Sequence, residues 1–172
     1  MGDGSVTKTG KGMFKLVSPR TDGEKLLQNT GLTTVAEGTL VLDGTLVAEG
    51  AKLAVAADAT LDLNGSTLAA PVSGAGTITN GKLTDDLTLV YGDEMPTFGE
   101  GVLGSKLTVD FTGTTAEFKT PYVVGHYAGA APAGLKVKAV NTGLEAFRAV
   151  TTCEDGDITV TLVKSGLLVL IK

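Results

Sequence analysis

Tryptophan is absent from this chain, and cysteine and histidine occur once each, as Cys153 and His126. A single cysteine excludes an internal disulfide and reads as a small buried hydrophobe. One histidine excludes the multi-histidine zinc sites, and with one distant cysteine there is no recognisable metal-ligand spacing. No metal and no cofactor are expected. A Ser-His-Asp triad would have to use His126, at the strand exit Val124-Gly125-His126-Tyr127, and no Gly-x-Ser-x-Gly elbow is present. Arginine is confined to Arg20 and Arg148. With a net charge of −5 the surface is acidic, which argues against nucleic acid as a partner, because phosphate binding needs clustered Lys and Arg. Long apolar runs are missing too. Leu167–Ile171 is far too short to span a bilayer, and Met1–Ser5 has no apolar signal region. Such a beginning fits either a cytosolic protein or a piece of a longer secreted one.

What is abundant is glycine, with 24 residues, alongside many Thr, Val and Leu. No window holds a sustained helical period capped at both ends; the best short helix candidate is Thr142–Arg148. The composition therefore reads as all-β with many corners. Between Gly38 and Leu83 a stammering phrase recurs: Thr39-Leu40, Thr45-Leu46, Lys52-Leu53, Thr60-Leu61, Thr67-Leu68, Thr77-Ile78 and Lys82-Leu83. Most copies sit beside a glycine. Leu40, Leu61 and Leu83 lie 21 and 22 positions apart, as do Leu68 and Leu89 from Leu46 and Leu68. A coil of three short strands and three corners needs roughly twenty to twenty-five residues. The spacing predicts stacking of Leu40, Leu61 and Leu83 on one inward face. Leu46, Leu68 and Leu89 fall on a second, and Leu53 with Ile78 on a third. An antiparallel meander of similar pitch is the alternative.

Charge and aromaticity divide the chain near residue 90. Gly31–Glu100 carries two Lys against ten Asp or Glu, a balance of −8, which leaves the remainder at about +3. Glu37, Asp43, Glu49, Asp58 and Asp62 read as a solvated outer face that keeps a β stack soluble. Weak Ca²⁺ binding by neighbouring carboxylates is the functional alternative. Seven of the eight aromatics lie from Tyr91 to Phe147. The expected organisation is residues 1–90 as a repeat region and 91–172 as a C-terminal β cap or small β domain. Within the latter, Lys106–Phe111, Ala116–Lys119, Tyr122–Val124 and Leu135–Val140 read as strands. So do the paired segments from Phe147 onward, turned at Asp155-Gly156 and Ser165-Gly166.

Three segments carry a family resemblance. Lys8-Thr9-Gly10-Lys11-Gly12 opens a strand and precedes the polar connection Ser18–Thr30. Thr33-Thr34-Val35-Ala36-Glu37-Gly38-Thr39-Leu40 follows, and Leu61-Asp62-Leu63-Asn64-Gly65 closes a Gly-Thr-Leu run. Ser73–Gly81 looks like the next coil. In this order they resemble the autotransporter-associated β-strand repeat of bacterial surface proteins, over roughly residues 6–84. The resemblance implies a right-handed parallel β-helix (a solenoid) in an exported bacterial protein, and no catalytic residues. Phe14-Lys15-Leu16 departs from the family's usual strand, and no membrane barrel follows, so self-translocation does not carry over.

The expected function is a non-catalytic structural or adhesive segment at the cell surface, with glycans or host and surface proteins as partners. A carbohydrate-binding module is the alternative. Sugar rings stack on exposed aromatics with polar neighbours, and Tyr91, Phe98, Tyr122 and Tyr127 are the candidates; Tyr122, Tyr127 and Tyr91 are carried forward as ligand-binding residues. A degenerate polysaccharide-degrading β-helix is the third reading, since hydrolysis needs two carboxylates roughly 5–10 Å apart on a concave face. Thr77-Ile78-Thr79 resembles an ice-binding rank, but one copy is not a rank. Gly10-Lys11-Gly12 and Gly74-Ala75-Gly76 are corners rather than phosphate loops, because no helix follows either.

Overall fold

The computed structural model describes residues 4–17, 31–43, 52–68, 70–84 and 87–166; Leu46, the connection 18–30 and the final apolar strand Leu167–Ile171 lie outside them. The described residues form β-strands in three sheets and contain no helix. The first sheet is built in the order β1 (Val6–Lys8), β3 (Leu32–Val35), β5 (Lys52–Val55), β8 (Val72–Ser73), β11 (Thr88–Val90), β13 (Lys106–Asp110) and β15 (Lys136–Val140). The second begins with β2 (Met13–Val17), β4 (Gly38–Asp43), β6 (Ala59–Asp62), β9 (Thr77–Thr79), β12 (Thr97–Phe98) and β14 (Pro121–Tyr127). It ends with β17 (Asp157–Lys164) and β16 (Phe147–Glu154). A two-stranded third sheet pairs β7 (Thr67–Leu68) with β10 (Lys82–Leu83).

Every pairing is parallel except the last two, β14 with β17 and β17 with β16. From β1 to β6 the chain visits the two large sheets by turns, which is why neighbours in a sheet are distant in sequence. Among the described residues up to Tyr127 the pairings are parallel, which is not the pattern of an antiparallel meander.

The strand sequences explain the arrangement. Strands such as β3, β5, β6, β13, β15 and β17 alternate buried residues with outward ones, so one face goes to the core. In the second sheet Leu40, Leu61, Ile78, Phe98 and Tyr127 are in register on the inward side. In the first sheet Thr33, Leu53, Val72, Leu89, Val109 and Ala139 form the facing line. Leu61, Ile78, Phe98, Leu89 and Val109 have no exposed surface. Burying each side chain of this kind contributes about 1.5–3 kcal/mol.

Three expected stacks change partners. Leu40 meets Leu61 as the spacing predicts, but Leu61 is followed by Ile78, and Leu83 pairs with Leu68 in the third sheet. Leu53 stacks on Val72 and Leu89 rather than on Ile78. The cause is one short connection: the paired Leu61 and Ile78 are only 17 positions apart, so a constant 21–22 period overshoots by a strand.

Corners are fixed by backbone contacts between neighbouring strand ends. The amide of Ala36 donates to the Lys8 carbonyl, Ala56 to Val35 and Gly76 to Val55, each at 2.9 Å. Gly38 turns with φ 66°, and a β-carbon there would meet the Gly12 and Gly10 carbonyl oxygens at 2.5 and 2.6 Å, so only glycine fits.

Two C-terminal expectations are corrected. Thr142–Arg148 is not helical: Asn141, Gly143 and Ala146 have φ of 54°, 70° and 49°, left-handed values that no right-handed helix tolerates. Ala116–Lys119 is not a strand, because Lys119 at φ 66° sits in a turn. Both large sheets cross residue 90, through β11 with β13 and β9 with β12. One hydrophobic cluster runs from Val35 to Leu162.

Candidate functional site

The three candidate tyrosines occupy two places. Tyr91, on the turn after β11, stacks on Phe111 with ring centroids 4.7 Å apart and planes 19° from parallel. Tyr122, on β14, meets both edge-on, at 5.6 Å from Tyr91 and 5.3 Å from Phe111. Tyr122 is 8% exposed, and its hydroxyl accepts a 2.7 Å hydrogen bond from the Glu117 amide. The trio closes the core beneath the 112–120 loop. Burial, then the neighbouring Tyr122, then Asp93 push the Tyr91 hydroxyl pKa above its ordinary value. A ligand could reach Tyr91 at its half-buried rim, but Tyr122 presents no ring face to solvent.

Tyr127 lies elsewhere. It belongs to the inward line of the second sheet, is half-buried, and forms one wall of an open cavity of about 290 Å³. Leu103, Pro132 and the small loop Ala130–Ala133 complete the apolar lining, and Glu100 supplies a carboxylate. Ala128–Gly134, which the sequence reads as a small-residue loop with Pro132, is what makes room here. Glu100 was missed as a candidate, because nothing in sequence links it to a loop thirty residues on.

His126, beside Tyr127, points outward. Its Nδ1 lies 2.7 Å from Asp157 Oδ1, both side chains being half-exposed. The pairing follows from register: His126 opposes Asp157 across the β14–β17 ladder and Thr97 across β12. A bulge between Val123 and Gly125 sets this register, and Gly125 is required there because a β-carbon would meet the Phe98 ring at 2.8 Å. Among the described residues, Asp157 is the hydrogen-bond partner of the imidazole, and the Thr97 hydroxyl makes no hydrogen bond to it.

Three carboxylates at the outer corners are held by asparagine side chains. Asn64 Nδ2 donates to Asp43 Oδ1 at 2.9 Å, Asn80 Nδ2 to Asp62 Oδ2 at 3.1 Å, and Asn141 Nδ2 to Asp110 Oδ1 at 2.9 Å. Hydrogen bonds from Thr112 and Asn141 hold the Asp110 carboxyl below its usual range. Among the described residues no cluster of three His, Cys, Asp or Glu could hold a metal ion. Cys153 is half-buried rather than fully buried. It packs on the edge of the core opposite Ile158, and burial raises its thiol pKa, which keeps it protonated.

A second opening lies at the far end. The β1 and β2 strands flank an apolar groove of about 600 Å³, lined by Val6, Lys8, Met13, Phe14, Leu16 and Leu40 among others. Phe14 was read only as part of a strand; its exposure follows from the position of β2 at the end of the second sheet.

No protein-family model, no curated protein and no solved structure matches this chain. Among the described residues no helix is long and apolar enough to cross a membrane.

Proposed function

We propose that the chain is a right-handed parallel β-helix acting as a non-catalytic structural or adhesive segment of an exported bacterial repeat protein. Residues 1–90 form its repeat coils, and residues 91–172 continue them and cap the end. The observation that carries this reading is the unbroken parallel register. Leu40, Leu61, Ile78 and Phe98 lie in one line and Leu53, Val72, Leu89 and Val109 in the facing line. Chain devoted to stacking of this kind resists bending and presents its corners outward at the strand spacing of about 4.8 Å. The resemblance of residues 6–84 to autotransporter-associated repeats adds the cell-surface location and partners among glycans or surface proteins.

A carbohydrate-binding module is the second reading, favoured by the cavity at Tyr127, where an aromatic ring, a carboxylate and small apolar residues meet. Tyr91 offers a half-buried ring edge and Tyr122 is its support. A glycan-array screen of the whole chain separates the two readings. The scaffold reading expects no specific glycan binding dependent on the cavity. Selective binding that Tyr127→Ala abolishes, with the melting temperature preserved, transfers the function to the cavity.

A further inference from the structure

The cavity at Tyr127 holds a negative charge with nothing to balance it. Apart from Tyr127 and Glu100, its lining consists of Leu103, Pro132, alanines and glycines. Backbone geometry puts Glu100 there. The Val102 amide donates to the Gly99 carbonyl at 3.2 Å and closes a tight turn in which Gly101 has φ 73°. Across the opening Gly129 has φ 83°, and a β-carbon there would meet Glu100 Oε2 at 3.3 Å. The carboxylate therefore lies over the Ala128–Gly134 loop. Among the described residues no hydrogen bond or ion pair engages it. The two segments that form the cavity supply no cation of their own. Leu83–Ser105 holds five Asp or Glu and no Lys or Arg, and Pro121–Leu135 holds neither Lys nor Arg. His126, the one base in that second stretch, is turned to Asp157.

We propose that this cavity binds a small alkylated ammonium ion. The positive centre sits between the Glu100 carboxylate and the Tyr127 ring, and its methyl or methylene groups rest on the alanine, proline and leucine lining. An aromatic ring attracts a cation through its quadrupole, and a carboxylate beside it adds the opposite charge. The apolar remainder of the wall suits alkyl groups. A neutral sugar would need several donors and acceptors, whereas the side chains here offer one carboxylate and one phenol. Size points the same way. A volume of about 290 Å³ is at the foot of the range for small-molecule sites, roughly 300–1,000 Å³, so the cavity takes a headgroup rather than a large ligand. This ligand class lies beyond the scaffold reading and competes directly with the neutral-sugar one.

Titration of the intact chain with choline, followed by NMR, tests the proposal. Choline carries a quaternary ammonium, and dimethylbutanol is its neutral isostere. The expected result is saturable shifts at Tyr127 and the Ala128–Gly134 loop, with dimethylbutanol bound at least about tenfold more weakly. Glu100→Gln, at an exposed position, should weaken choline about fivefold and remove most of the salt dependence. Tyr127→Leu keeps apolar volume without the ring and should cost about tenfold. Unchanged melting temperatures confirm that both variants fold. A short peptide bearing trimethyllysine is the second probe. It tells a free ligand from one carried on a chain, and saturation by either probe sustains the proposal. Failure of both to saturate overturns it. So does equal affinity for choline and dimethylbutanol, a Glu100→Gln variant that binds choline as tightly as the parent, or saturation by glucose where choline has no effect.

Discussion

The stack has two ends built on opposite plans. At β1 and β2 the described strands of both large sheets end, leaving Val6 and Phe14 half in water where Thr33, Leu53, Leu40, Leu61, Ile78 and Phe98 on the same lines are buried. At the other end the chain reverses direction. Strand β17 pairs antiparallel with β14, and β16 pairs antiparallel with β17, joined by a two-residue turn at Asp155 and Gly156 with φ of 53° and 87°. Both positive values suit a tight hairpin turn matched to strand twist. A parallel strand added to a sheet leaves a new open edge like the one it covered. An antiparallel hairpin brings its own return strand, buries Ile158, Val160 and Leu162 on one face, and turns a mixed polar strand outward. Termination here is a change of strand direction rather than a change of composition.

The contrast can be broken in several ways. The largest effect should come from the shared interior: Leu61→Asp places an unpaired carboxylate on a line with no exposed surface and should cost more than about 4 kcal/mol. Urea unfolding measures it, and an unchanged midpoint would sink the inward register. Next come the ends themselves. Ile158→Ala, in the hairpin, should cost about 2–4 kcal/mol, as a fully buried aliphatic does. Phe14→Ala should cost under about 1 kcal/mol because half its surface is already wet. Equal costs for the two substitutions would erase the distinction between a closed and an open end.

The smallest effect concerns acid stability near the closed end. The Asp110 carboxyl is held below its ordinary pKa by hydrogen bonds from Thr112 and Asn141. A lowered folded pKa means that its contribution is present above the unfolded value and is lost as pH falls through the folded one. Asp110→Asn should therefore slightly flatten the acid limb of a melting-temperature profile while leaving its alkaline side unchanged. Because the group lies near the surface, the change should be small and should shrink further in salt.

Much of the first half was legible because its signal is local. Thr39-Leu40 and Thr60-Leu61 announce strands, and their 21-residue separation matches the observed register. Reading failed where coil length varies: nothing between Asp62 and Thr77 marks that coil as short, so Leu83 was set against Leu61 instead of Leu68. The terminal hairpin was legible from Asp155-Gly156 and the alternation around it. By contrast, left-handed Asn141 and Ala146 defeat a helix that propensity alone allows. The site fared worse. Tyr122 reads like Tyr127 in sequence, yet a bulge at Val123–Gly125 and the Glu117 hydrogen bond bury one and leave the other at a cavity. The His126–Asp157 pair spans 31 positions and exists only once β17 reverses.

The corner amides have a chemical consequence in time. Asn64 and Asn80 are each followed by glycine, the neighbour that least obstructs ring closure of an asparagine onto the next backbone nitrogen, and asparagine is among the thermolabile residues. Loss of ammonia there would replace a donor by a carboxylate facing Asp43 or Asp62, turning each cross-coil attraction into repulsion between like charges. At position 64 the following amide is already committed, since Gly65 donates to the Asn80 carbonyl. The folded corner thus guards its own bond against ageing, and it would do so only while the coil above it remains in place.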